Sequence, residues 1–249
     1  MTTGSAEANY LHARSTDGFI TKHEKQFLIS IAERLPHWAT PDHLTLTGVI
    51  GSFIVFVSLI GSHFEPLLLL CAVGGLVLNW FGDSLDGTLA RVRRIERRRY
   101  GFYLDHVSDL ASQFMIIVGL GLSPLMRLEF ALLGLVGYLA LSVMSFVKLH
   151  VSRDLQICYF GVGPTEIRLI ICAGLVVPLL STLPVVSFAA ADFTLFDIGA
   201  GLAFTFCVVT AVLVFYSELK RLAVIDPSPQ TIPPEQEMRE LEPFEVSHR

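Results

Sequence analysis

The sequence predicts an all-α, polytopic membrane protein: six transmembrane helices preceded by an amphipathic interfacial helix. Three observations predict it. Apolar residues fall into six long runs, basic residues gather in alternate loops, and four aspartates cluster at one end of two successive runs. Composition agrees, since 52% of the 249 residues are hydrophobic and only 16% are charged. The mean hydropathy of +0.58 exceeds what a water-soluble domain of this size needs to fill a core. A formal net charge of -5 argues against a nucleic-acid partner.

Residues 1–43 are read as a polar N-terminus and interfacial helix, 44–222 as the six-helix domain, and 223–249 as a tail. The first twenty residues hold no short apolar core ahead of a small-residue cleavage site, so no secretory signal peptide is expected. Between Thr21 and Trp38, helical spacing puts Phe27, Leu28, Ile31 and Leu35 on one side, with Lys22, Lys25 and Arg34 among the polar positions. That pattern suits a helix lying in the membrane interface. The spans are placed near 44–62, 66–90, 102–121, 126–149, 165–183 and 196–217, each close to the roughly 20 residues that a hydrocarbon layer requires. Pro41, Pro66, Pro124, Pro164 and Pro184 fall at or between their ends, where a missing N–H costs least. Pro178 lies inside the fifth span and predicts a kink there. Beyond Ala223 the chain is rich in proline and glutamate, the composition of a disordered tail. Cys71, Cys158, Cys172 and Cys207 show no metal or disulfide spacing and are read as small buried side chains.

Loops bearing Lys and Arg stay on the cytoplasmic side. With six spans, both termini and the second and fourth loops share that side. They hold Arg14, Lys22, Lys25, Arg34, Arg91, Arg93, Arg94, Arg97, Arg98, Arg99, Lys148, Arg153, Arg168, Lys220, Arg221, Arg239 and Arg249, leaving Arg127 on the other. Adding or deleting one span scatters these residues onto both faces.

Charged side chains within spans cost about 2.5 to 3.5 kcal/mol each, so several carboxylates together need a reason. Asp83 and Asp86 are three apart, and Asp105 and Asp109 four apart, which puts each pair on one helix face. A short arginine-rich connection makes the two helices antiparallel neighbours with both pairs at the cytoplasmic end. Four carboxylates are then expected to converge. Left alone they repel one another; oxygen-only ligands suit Mg²⁺ or Mn²⁺, and a two-ion site clamps the attacking and leaving oxygens of a phosphoryl displacement. Gly87 and Gly101 leave room for a ligand to approach backbone, Ala90 keeps the face small, and Arg91 is placed to balance carboxylates or grip phosphate.

The order Asp83-x-x-Asp86-Gly87-x-x-Ala90-Arg91, nine residues, then Gly101-x-x-x-Asp105-x-x-x-Asp109 resembles the signature of the CDP-alcohol phosphotransferase (CDP-alcohol phosphatidyltransferase) family. The resemblance implies phospholipid biosynthesis: transfer of a substituted phosphate from a CDP-linked donor to an alcohol hydroxyl, with release of CMP. It implies that Asp83, Asp86, Asp105 and Asp109 bind metal and that Asp109 is also the catalytic base. Gly87, Ala90, Arg91 and Gly101 are expected to shape the nucleotide and pyrophosphate pocket, and a homodimer is implied. The rival from another class is a transporter or channel with buried carboxylates, which distributes acids through the bilayer depth and over several spans.

Lys148 and Arg168 are candidates for binding the acceptor; the plainer reading is positive-inside anchoring. Family members with phosphate-bearing acceptors often carry an Ala-Arg-rich stretch after the fourth span, where this chain has SFVKLHVSRDL. Asp105-His106-x-x-Asp109 and Pro164-Thr165-Glu166 resemble instead the choline and ethanolamine branch, whose acceptor is diacylglycerol. His106 points off the aspartate face and is read as a packed histidine. The Arg97–Arg99 run suits headgroup binding or topological anchoring equally. Thr45 resembles the family's nucleotide-bordering residue at the start of the first span, and Asp42 is read as the helix cap. Gly199 and Ala203 form a small-xxx-small pair.

Overall fold

A computed structural model describes residues 21–152, 163–181, 185–188 and 191–227. Arg153, Cys158 and the tail beyond Pro227 lie outside the described residues. The order is α1 (Thr21–Arg34), α2 (Pro41–Gly61), α3 (Leu68–Val92), α4 (Arg98–Gly121), α5 (Leu128–Ser152), α6 (Pro164–Leu180), β1 (Val185–Phe188), β2 (Ala191–Thr194) and α7 (Leu195–Ile225). Four of these, α2, α3, α5 and α7, are long and apolar enough to cross a membrane. The other two core helices fall short on one count each: α4 has 24 residues but carries Arg98, Arg99, Asp105 and Asp109, and α6 has 17 residues.

Each expected span coincides with a helix, and the ends differ for local reasons. Thr40 caps α2, its Oγ1 accepting from His43 N at 3.3 Å, so Thr40 takes the role expected of Asp42. Asp42 instead pairs with Arg97, whose guanidinium also lies 3.9 Å over the Tyr100 ring. Pro178 sits two residues before the end of α6, late enough to cost little. Unexpected from sequence, β1 and β2 pair antiparallel with Val185 opposite Thr194. Beyond them α7 runs to Ile225, past the boundary set at 222/223. Its start is held by Asp197, fully buried, which accepts from Thr194 N at 2.9 Å and Arg127 N at 2.8 Å. Thr194 in turn donates from Oγ1 to Leu125 O at 2.7 Å, fastening the α4–α5 connection to α7.

The face expected on α1 divides. Leu28 and Ala32 are buried against Leu85 and Leu89 of α3, with Ile31 and Leu35 beside them, while Phe27 is 56% exposed. Arg93, at the end of α3, donates to the carbonyls of Ala39 (2.5 Å), Leu35 (2.8 Å) and Pro36 (2.9 Å), which lie between α1 and α2. One side chain therefore closes the α1–α2 connection onto α3.

The central contact is α2 against α3. Gly48 and Gly51 on α2 face Gly75 and Gly82 on α3, and a β-carbon at Gly51 would lie 2.6 Å from Asn79 N and 2.7 Å from Gly75 O. Only hydrogen fits there, and backbone touches backbone. Val55, Leu59, Leu69, Ala72 and Leu76 continue this seam into a core shared with Ile116 and Leu120 of α4 and Leu175 of α6. Because the atoms opposite Gly51 are backbone and have nowhere to move, Gly51→Leu is expected to cost at least about 1–3 kcal/mol by overpacking. Thermal unfolding of detergent-solubilised protein measures it, with Gly74→Leu, at a position with nothing within 4 Å, as the tolerant control.

Candidate metal centre

The aspartates sit on two helices that are both packed on α2 and touch each other little. The antiparallel pair expected from the short connection is therefore splayed, because α2 enters between the helices. What remains is a cleft lined by Thr45, Gly48 and Val49 of α2, Asn79 and Asp83 of α3, and Asp105, Ser108, Asp109 and Ser112 of α4.

Three carboxylates meet there. One oxygen from each of Asp83, Asp105 and Asp109 lies within 4.8 Å of the other two. Asp86, one turn further along α3, stands outside this trio: its Oδ2 accepts from Thr45 Oγ1 at 2.5 Å and its Oδ1 from Gly87 N at 2.5 Å. The convergence expected of four carboxylates is thus three around a common point and one beside it, since the close fit of α2 on α3 brings Thr45 within reach of Asp86.

Arg168 joins the cluster from α6. It is only 7% exposed and donates from Nη2 to Asp83 Oδ2 at 2.7 Å. Of the two basic candidates, this one reaches the aspartates. Lys148 pairs with Glu218 Oε1 of α7 at 3.2 Å, and Glu218 also accepts from Ser152 at 3.0 Å. Arg91 extends along α3, donating to Thr88 Oγ1 at 3.2 Å and covering Gly87. Ala90 is half-buried one turn beyond Asp86. A β-carbon on Gly101 would meet no atom within 4 Å, and on Gly87 nothing closer than the Arg91 guanidinium at 3.5 Å. Packing within this chain therefore does not call for glycine at either place.

His106 is a packing residue as expected: Nδ1 donates to Phe102 O at 2.8 Å and the ring stacks on Phe102 at 4.0 Å between centroids. Glu166 accepts from Gly163 N at 3.0 Å and so caps α6. Asn79 also lines the cleft, a place that its sequence context marks only weakly. The signal available was an amide inside an apolar run, one helical turn before Asp83 and on its face.

The donor set is all oxygen and anionic, which fits a hard divalent cation and not a soft metal. Four apolar helices around such a cluster suggest a membrane-embedded protein whose carboxylates could hold a metal ion. The CDP-alcohol phosphatidyltransferase family model matches residues 38–216, and the chain belongs to that family, whose members are transferases of phospholipid biosynthesis. No curated protein matches the chain in a sequence search. The match runs from just before α2 into α7 and so takes in all four aspartates.

Arg168→Gln removes the cation facing Asp83 while keeping most of the side-chain volume. Breaking a buried pair from one side costs about 3–5 kcal/mol, so the melting temperature is expected to fall, and a melt at unchanged temperature would show that this pair is not needed by the fold.

Proposed function

We propose that the chain catalyses metal-dependent transfer of a phosphatidyl or phosphoalcohol group from a CDP-linked donor to an alcohol hydroxyl, releasing CMP. The observation that carries this reading is the meeting of Asp83, Asp105 and Asp109 at one point of a cleft in a chain of this family. Asp83, Asp86, Asp105 and Asp109 would hold Mg²⁺ or Mn²⁺, two ions in the full site, with Thr45 fixing the carboxylate of Asp86. Bound cations neutralise charge developing on the phosphate and bridging oxygens.

Asp109 acts as general base. The alcohol oxygen attacks the phosphorus that carries the substituent, its proton passes to Asp109, and the P–O bond to the CMP phosphate breaks so that CMP leaves with the electron pair. Gly87 and Gly101 leave backbone open to the nucleotide and pyrophosphate, with Ala90 and Arg91 beside them. Arg168 serves the acceptor or phosphate side, near Asp83. The pairing of Lys148 with Glu218 makes Lys148 the weaker acceptor candidate.

Counting α4 and α6 with the four apolar helices gives six spans, with α1 at the interface. The positive-inside pattern then puts both termini and the cleft on the cytoplasmic side. Residues 44–222 form the catalytic unit and 223–249 a tail, and the protein acts as a homodimer. Acyl chains remain in lipid while the headgroup enters the cleft. Two substrate pairs suit the site: CDP-diacylglycerol with a small polar alcohol, or a CDP-choline or CDP-ethanolamine type of donor with diacylglycerol. The second draws on the Asp105-His106 and Pro164-Thr165-Glu166 spelling, but His106 and Glu166 both have local structural partners.

Purified protein assayed for CMP release with each donor against a panel of alcohols fixes the pair. Asp109→Asn is expected to lower turnover by about 10²-fold or more, the scale of general-base catalysis, while the protein stays folded; near-normal turnover would remove Asp109 from that role. EDTA is expected to abolish activity and Mg²⁺ or Mn²⁺ to restore it. Activity that survives chelation would sink the metal-dependent mechanism.

A further inference from the structure

We propose that Asn79 is an outer partner of the cation centre, its Oδ1 accepting a hydrogen bond from water carried by a divalent ion among Asp83, Asp105 and Asp109. The inference rests on the reading of these aspartates as cation ligands.

Asn79 is 2% exposed and lies on α3 four residues before Asp83, so the two side chains are neighbours on one helix face. Its amide orientation is set from outside. Nδ2 donates to Gly48 O at 3.1 Å and to Ser52 Oγ at 2.9 Å, and a backbone carbonyl can only accept, so the nitrogen must face α2. Oδ1 is left buried with no partner among the described residues. A buried acceptor without a donor is costly, and such atoms are rare enough to need an explanation.

Two other buried side-chain atoms share this condition among the described residues, Arg168 Nε and Thr210 Oγ1. The first is a donor, and the second belongs to α7, which does not line the cleft. Asn79 combines an unused acceptor with a place in the cleft wall beside the carboxylates. Mg²⁺ and ions like it dehydrate reluctantly and keep several waters when only a few carboxylates bind them. Those waters are donors, strengthened by the ion's charge, and the aspartate oxygens are taken up as ligands. An amide oxygen pinned one turn from Asp83 supplies what they need. Outer partners of this kind orient the bound ion and tune its affinity.

The test uses full-length protein in detergent and Mn²⁺ alone, with free Mn²⁺ followed by electron paramagnetic resonance. Asn79→Ala is expected to weaken Mn²⁺ binding by about 10–100-fold, the usual cost of removing an outer partner. Ser52→Ala, which removes an α2 contact of the same amide but leaves Oδ1, is expected to bind as the unmodified protein does. Asn79→Asp keeps an oxygen at Oδ1 but loses the donor to Gly48; it is expected to bind Mn²⁺ at least as tightly as the unmodified protein even where its melting temperature falls. Equal weakening in the Ala and Asp variants, or binding by Asn79→Ala within two-fold of normal, would overturn the proposal. If Asn79→Ala does not fold, Asn79→Asp decides alone. Asp109→Asn separates this from failure of the underlying reading: normal Mn²⁺ binding in that variant would undermine the cation site itself.

Discussion

Carboxylates packed among apolar helices have to be neutralised or hydrogen-bonded, and the architecture around the cleft follows from that constraint. The aspartates meet it in different ways. Asp83 faces the guanidinium of Arg168, and Asp86 takes a hydroxyl and a backbone N–H. Asp105 lies 3.5 Å from His106. Oxygens of Asp83, Asp105 and Asp109 share one point between α3 and α4, a grouping that could hold a metal ion, while Arg168 comes from α6 and Thr45 from α2. The cluster thus ties α2, α3, α4 and α6 to one another.

Helix α2 makes this possible without contributing a carboxylate. Its glycine face meets the backbone of α3 directly, which brings Thr45 to Asp86 and lets Asn79 reach across to Gly48 and Ser52. The same helix packs on α4, so the separation between the two aspartate pairs is set by a third element. A direct α3–α4 interface would close the cleft. Carboxylates carried on helices held this way are positioned more firmly than they would be on loops.

Much of this was legible in the sequence, and the limits have physical causes. Apolar runs and breaking prolines gave six helices in the right places because both signals are local. The spacing within each aspartate pair is also local, and Asp83, Asp105 and Asp109 do meet. The place of Asp86 beside the trio could not be read from spacing, because its direction depends on Thr45, 41 positions earlier in the chain, and on how closely two glycine faces approach. The splay of α3 from α4 was hidden for the same reason. Asn79 and Asp197 carried only the weak signal of a polar residue within or beside an apolar run; their partners, Gly48 and Arg127, are remote in sequence. The short hairpin before α7 is not legible in the sequence because four-residue strands leave little periodicity to read.

The arginines between the two aspartate helices do more than a composition rule counts. A positive-inside count treats Arg91, Arg93, Arg94, Arg97, Arg98 and Arg99 as interchangeable. In the structure Arg93 grips three carbonyls of the α1–α2 connection, Arg97 pairs with Asp42 at the start of α2, and Arg94 turns the chain with a φ of 56°. The connection is thereby pinned at one end to the α1–α2 connection and at the other to the start of α2. Since Asp86 lies seven residues before Arg93, and Asp105 eight after Arg97, any slippage of this connection would move the two aspartate pairs relative to each other. A guanidinium presents several donors in a rigid fork, and lysine does not. Arginine at 93 therefore has a geometric reason beyond its charge, and the spacing of the carboxylates depends on it.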